Sequence, residues 1–348
     1  MLTLILFIFI LGIIVLVHEG GHFLFAKLVG VHVYEFSIGM GPKVIQKIAK
    51  DKTKYSIRLI PIGGFVSLAG EEVDPEKLKE HKGSNLQDKK PWQRFLVMFM
   101  GVGFNFIFAF LILIISGLIF GAPSTEPIIT EVADNYPAAI AGIEANDKVL
   151  RINDHKVTYK DDISLYLALE DLNNTVVFEV EKQDGTVRTY QVKPIKEIAS
   201  DKSERYIVGI VMGSETHHGL SNAIKYGINE GLAIFKQMYI VLGNLFTGGV
   251  SVNQLSGPVG IYSVVGQMSK QGLVALIYLM ALLSINVGVI NLLPLPAFDG
   301  GRILFLLIEK IKGSPVDPKV ENTIHSIGFI LLILLMLYVT FNDILRLF

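Results

Sequence analysis

Four blocks of this chain stay apolar for about the length a helix needs to cross a bilayer. They lie at about residues 2–28, 95–120, 273–293 and 324–341. Crossing the hydrocarbon core takes roughly 20 apolar residues as helix. Lipid offers no partner to free backbone groups, so only helices or closed barrels can span it. The expected fold class is therefore a polytopic α-helical membrane protein with about four transmembrane helices. Although the first block sits at the N-terminus, it has no positive n-region and no small-residue cleavage site, so it is read as a span and not as a signal peptide.

The chain has 348 residues, a formal net charge of −1 and no cysteine. No basic field recommends nucleic acid as a partner. Disulfides and thiolate metal ligands are excluded. Loop charges set the orientation. Residues 29–94 hold twelve Lys and Arg between Lys43 and Arg94, and Arg302, Lys310, Lys312 and Lys319 follow the third block. By the positive-inside rule both loops are cytoplasmic, which places both termini and the long segment between blocks two and three outside.

The expected organisation is as follows. Residues 1–28 form the first span and 29–94 a cytoplasmic loop. Within that loop 54–70 read as a β-hairpin, two short strands turning at Pro61 and Gly63-Gly64. The charged stretch from Glu71 to Lys90 is expected to be mobile. Residues 95–120 form the second span. Residues 125–215 form a small, mostly β domain, with a hairpin signal at Asp184-Gly185. Residues 220–250 are an amphipathic helix at the outer interface. Residues 251–272 are a loop, 273–305 the third span with a proline-broken end, 306–323 a cytoplasmic loop and 324–345 the fourth span.

The chemistry sits in "VLVHEGGHFL". Ionisable groups at membrane depth are costly without a partner or a task. His18 and His22 stand four apart, on one helix face, and can reach one ion; Glu19 lies beside that face. This is the H-E-x-x-H arrangement of zinc hydrolases, with the glutamate as general base. A catalytic zinc takes three protein ligands, and here the third must be His, Asp or Glu. Asp299, in "NLLPLPAFDGGRILF" at the cytoplasmic end of the third block, is at matching depth. The alternatives are two polar residues satisfied inside a helix bundle, and an aspartate in a simple turn.

These two motifs, together with "FSIGMGPKV" (36–44), "RLIPIGGFVSLAGE" (58–71) and "LSGPVGI" (255–261), make the chain resemble the site-2 protease family of the bacterial RseP/RasP type. The resemblance implies an intramembrane zinc metalloprotease. His18, His22 and Asp299 match its metal ligands and Glu19 its general base. Asn291 matches a residue that binds substrate backbone. Asn105, in "GVGFN" (101–105), matches a glycine–asparagine motif of the second span, with Val102 where proline is usual, and is expected to be a further substrate-binding residue. "YPAAIAGIEANDKVLRIND" (136–154) resembles a PDZ domain, with Asn146 in place of the usual glycine. The hairpin is expected to receive substrate by β-addition at Ile62, Gly63 and Gly64.

The implied substrates are single-span membrane proteins, such as anti-sigma factors, or signal-peptide remnants. An upstream site-1 protease is an implied partner beside the lipid bilayer. The implied location is the bacterial plasma membrane, with the active site towards the cytoplasm. A catalytically silent scaffold that binds peptides through the PDZ-like domain is the alternative.

Overall fold

In the computed structural model, residues 1–71, 81–198, 204–213, 215–251, 253 and 255–346 are described. They form two compact units, residues 1–112 with 252–348, and residues 113–251.

Among the described residues four helices are long and apolar enough to cross a membrane: α1 (Leu2–Leu28), α2 (Pro91–Phe120), a third over Leu273–Leu292 and a fourth within Pro318–Leu345. Along α1 the buried residues Phe7, Ile10, Ile14, His18, Gly21, His22 and Ala26 recur every three or four positions, so they form one stripe. That stripe carries the histidines inward.

Between α1 and α2 lies a sheet that differs from the expected hairpin. Residues 54–70 do not fold back on themselves. They supply one long strand, β2 (Lys54–Leu68), whose antiparallel partner β1 (Val33–Ile48) lies upstream. The reason is pairing: Val66, Phe65 and Gly64 oppose Phe36, Ser37 and Ile38, while Lys54 and Tyr55 oppose Ile48 and Lys47. Residues 35–38 also lie alongside 54–57. Residues 64–68 form an edge, and no strand pairs with their outer side among the described residues. Of the stretch expected to be mobile, 72–80 lie outside the described residues. Its remainder includes a short 3-10 helix, Leu86–Asp88, with Leu86 buried beside Val33, Leu68 and Val97.

In residues 113–251, strands β5 (Lys148–Ile152), β6 (His155–Lys156), β7 (Val176–Glu181) and β8 (Val187–Val192) pair in the order β6-β5-β7-β8. Two-stranded pairs flank them: β3 (Ala122–Pro123) with β12 (Thr216–His217), β4 (Glu131–Val132) with β11 (Ile210–Val211), and β9 (Ile195–Ile198) with β10 (Glu204–Ile207). Two short helices, α3 (Pro137–Ala141) and α4 (Lys160–Leu169), complete the core with Ile129, Ile152, Ile163 and Phe178. Asn146 takes a left-handed backbone (φ 71°), which asparagine tolerates better than most residues. Helix α5 (Leu220–Thr247) buries Ala223, Tyr226, Glu230 and Ile234, and leaves Ile224, Ile228, Leu232, Phe235 and Tyr239 exposed.

The expected loop 251–272 is largely helix α6 (Pro258–Gln271). Pro258 opens it at a position where its missing N–H is harmless, and Asp343 accepts a hydrogen bond from the Gly260 N–H at 2.8 Å. Val265 then packs against Ile10, Ile14 and Leu279. The third block becomes α7 (Leu273–Leu292), a break at 293–298, and α8 (Asp299–Lys312), so helix replaces part of the expected loop 306–323. The last helix, α9 (Pro318–Leu345), reaches back to the break, where the Ala297 N–H donates to His325 Nδ1 at 3.0 Å.

Candidate metal centre

His18 and His22 project from α1, and Asp299 opens α8. Their ligand atoms converge. His18 Nε2 and His22 Nε2 each lie 3.2 Å from Asp299 Oδ2, and 3.3 Å from each other. Ligands about 2.05 Å from a tetrahedral zinc stand about 3.3 Å apart. The three atoms therefore have the spacing of one face of such a site.

The tautomers agree with this. His22 Nδ1–H donates to the Val97 carbonyl at 2.8 Å, which leaves Nε2 as a lone pair aimed at the aspartate oxygen. Oδ2 is buried and has no hydrogen-bond donor among the described residues. Buried lone pairs facing one another repel unless a cation lies between them. The donor set, two imidazoles and a carboxylate, suits zinc.

Two glycines let the helices close on this site. A Cβ on Gly101 would lie 2.2 Å from His22 Nε2, and a Cβ on Gly21 would lie 2.1 Å from the Met100 carbonyl oxygen. At Gly20 a Cβ would meet nothing within 4 Å. The adjacent glycines of the HEGGH run thus differ: Gly21 is a helix contact and Gly20 is not.

A cavity of about 380 Å³ opens beside the three ligand atoms. Glu19, Phe65, Val66, Leu68, Glu71, Asn291 and Arg302 are among its lining residues. Glu19 Oε2 accepts a hydrogen bond from the Val66 N–H at 2.9 Å. Asn291, on the last turn of α7, faces the same cavity.

Two expected positions differ. Asn105 is fully buried, with its carboxamide nitrogen 3.4 Å from His18 Nδ1, so it stands behind the ligand and out of substrate reach. Along β2 the cavity is lined by Phe65, Val66 and Leu68 and not by Gly63, while the side chain of Ile62 lies outside what the structure describes. Gly63 turns against Met40, and Gly64 stands next to Glu19, with a Cβ there 3.9 Å from Glu19 Cγ. Sequence reasoning missed the Val97 carbonyl, Glu71 and Arg302. It marked Gly101 as part of a motif but not its close approach to His22, of which a glycine inside an apolar helix is a readable sign.

The model of peptidase family M50 matches residues 6–335. The chain belongs to peptidase family M50. A Staphylococcus aureus protein with a provisional zinc metalloprotease name is 36% identical across 100% of this chain and 99% of its own. The Regulator of sigma-W protease RasP of Bacillus subtilis is 34% identical, and the Zinc metalloprotease RasP of Bacillus licheniformis 33%, each over 99% of both chains. The chain is a site-2-type zinc metalloprotease and a membrane protein.

Proposed function

We propose that this protease cuts peptide bonds within membrane-spanning segments, with His18, His22 and Asp299 holding the zinc. The observation that carries this reading is the spacing of the three ligand atoms beside Glu19 and a strand edge that no further strand pairs with among the described residues. The chemistry zinc supplies in such a site is polarisation of a carbonyl and acidification of water. Glu19 takes the proton of the attacking water and hands it to the leaving amide nitrogen. Its Oε2 is engaged by Val66, so Oε1 is the oxygen available for that proton.

A membrane helix hides its amides in its own hydrogen bonds, so cleavage requires a short extended stretch. Residues 64–68 receive that stretch by β-addition, and Asn291 binds its backbone from the opposite wall of the cavity. Asn105 acts through His18 and not on substrate. The substrates are single-span membrane proteins, anti-sigma factors among them, or signal-peptide remnants, after a first cut by a site-1 protease. A relative named for sigma-W regulation supports this class.

The protease lies in the bacterial plasma membrane with its metal centre towards the cytoplasm. Both termini and a PDZ-like domain at 125–215 lie outside. Helix α5 rests on the outer interface through its exposed apolar stripe.

The deciding experiment incubates the detergent-purified chain with a synthetic peptide of about 25 apolar residues, broken at its centre by Asn-Pro. Wild type is expected to cut it and Glu19→Gln to leave it whole. An uncut peptide, or equal cutting by the variant, contradicts the reading. Since the chain lacks cysteine, single cysteines at Asp184 and Lys312 test the sidedness. Asp184→Cys should react with an impermeant thiol reagent in intact cells, and Lys312→Cys only after permeabilisation.

A further inference from the structure

Alternate residues of a strand turn their backbone N–H and C=O groups to opposite sides. By this alternation Gly64, Val66 and Leu68 share the side that turns away from β1. The amides of Val66 and Leu68 are held there by carboxylates. The Val66 N–H donates to Glu19, and the Leu68 N–H donates to Glu71 Oε2 at 3.3 Å. Glu71 closes on Leu68 a second time, because its own N–H donates to the Leu68 carbonyl at 3.3 Å. Both outward groups of Leu68 are therefore bonded to one residue.

The remaining oxygen of that carboxylate is anchored. Arg302 Nη1 donates to Glu71 Oε1 at 2.5 Å. Arg302 lies on α8, about one turn beyond Asp299. Glu71 and Arg302 line the metal cavity, and both also line a smaller cavity beside it with Arg94 and His325. The pair is partly open to solvent, so its attraction adds little to stability. Its position at the end of a strand edge is what sets it apart.

We propose that Glu71, anchored by Arg302, is the end stop of the substrate strand and fixes the register in which substrate is cut. This rests on the strand-addition reading above. An incoming strand pairs with Val66 by displacing Glu19 Oε2, which frees the base as substrate docks. Beyond Val66 it meets Leu68 already closed, so the extended stretch ends there. Strand register moves in steps of two, because only every second residue presents the same face. With the stop in place, one bond lies beside Glu19 and Asp299. Without it, the strand slides on by two residues.

The test maps the cut bonds in the Asn-Pro peptide by mass spectrometry and follows exchange of the Leu68 amide in the peptide-free protein. Wild type is expected to yield one dominant cut. Glu71→Ala adds products displaced by two residues, and its Leu68 amide exchanges at least about tenfold faster, the scale of losing one charge-assisted hydrogen bond. Glu71→Gln keeps an acceptor for Leu68 but loses the charge facing Arg302, and shows a smaller share of displaced cuts. A merely structural role would slow cutting without moving it. Cutting at the same single bond by Glu71→Ala, or unchanged Leu68 exchange, overturns the end stop alone. A peptide left whole by wild type overturns the strand-addition reading, and the end stop with it.

Discussion

The carboxamide of Asn105 stands 3.4 Å from Nδ1 of His18, with its oxygen buried and without a partner among the described residues. Turned by half a rotation, it presents that oxygen to the ring. The oxygen then accepts from Nδ1–H, which leaves Nε2 free to bind metal. Asn105 is itself held, since its backbone carbonyl accepts from Ser284 Oγ at 2.9 Å. Asn105→Leu should weaken zinc binding by about 10- to 100-fold, whereas Asn105→Asp, which retains an acceptor, should stay near wild type. Chelator competition measures both.

Among the described residues the Glu19 carboxylate accepts its hydrogen bond from the Val66 N–H of the strand edge, not from a metal ligand, and Glu19 lines the cavity. Glu19→Gln should therefore keep its zinc and lose about 10²- to 10⁴-fold in cleavage rate, the usual scale for removing a general base. Zinc content and peptide cleavage on the same preparation check this.

The two central glycines of HEGGH should separate. Gly20→Ala meets open space and removes a helix-interior glycine, so it should raise the melting temperature, by up to about 1 kcal/mol of stability. Gly21→Ala drives a methyl into the Met100 carbonyl and should cost about 1–3 kcal/mol or more, with loss of zinc as α1 is pushed from α2. Thermal unfolding with zinc analysis distinguishes the pair.

Much of this was legible in the sequence, for physical reasons. The spans announce themselves because about 20 apolar residues in a row have few other uses. His18 and His22 are tied by helical period, and Asp299 by the absence of other donors beside a broken helix. Other parts were not readable. The Val97 carbonyl is a backbone group that any residue supplies. Pairing of β2 with a strand upstream depends on register, which its own residues do not encode. Helix α6 is short and only mildly amphipathic, and its start depends on Asp343, 83 residues away. Glu71 and Arg302 are separated by 231 residues, and nothing local marks them as partners.

Outside the spans, Glu230 of α5 is pushed up to about 8, first by burial and then by the charge of Asp161, with Lys160 opposing. An acid raised in the folded state favours folding while it is protonated. That contribution is full below its ordinary value of 4.5 and is lost as pH rises through about 8. Thermal unfolding of wild type should therefore weaken across that window, and Glu230→Gln should flatten the dependence. A parallel decline in both would count against the assignment.

The central claim is that α1 and α8 build one metal site, and zinc content tests it most directly. The detergent-purified wild type should hold about one zinc per chain, and both His22→Ala and Asp299→Ala should lose it. A folded wild type without zinc, or an Asp299→Ala variant that keeps a full complement, would contradict the account.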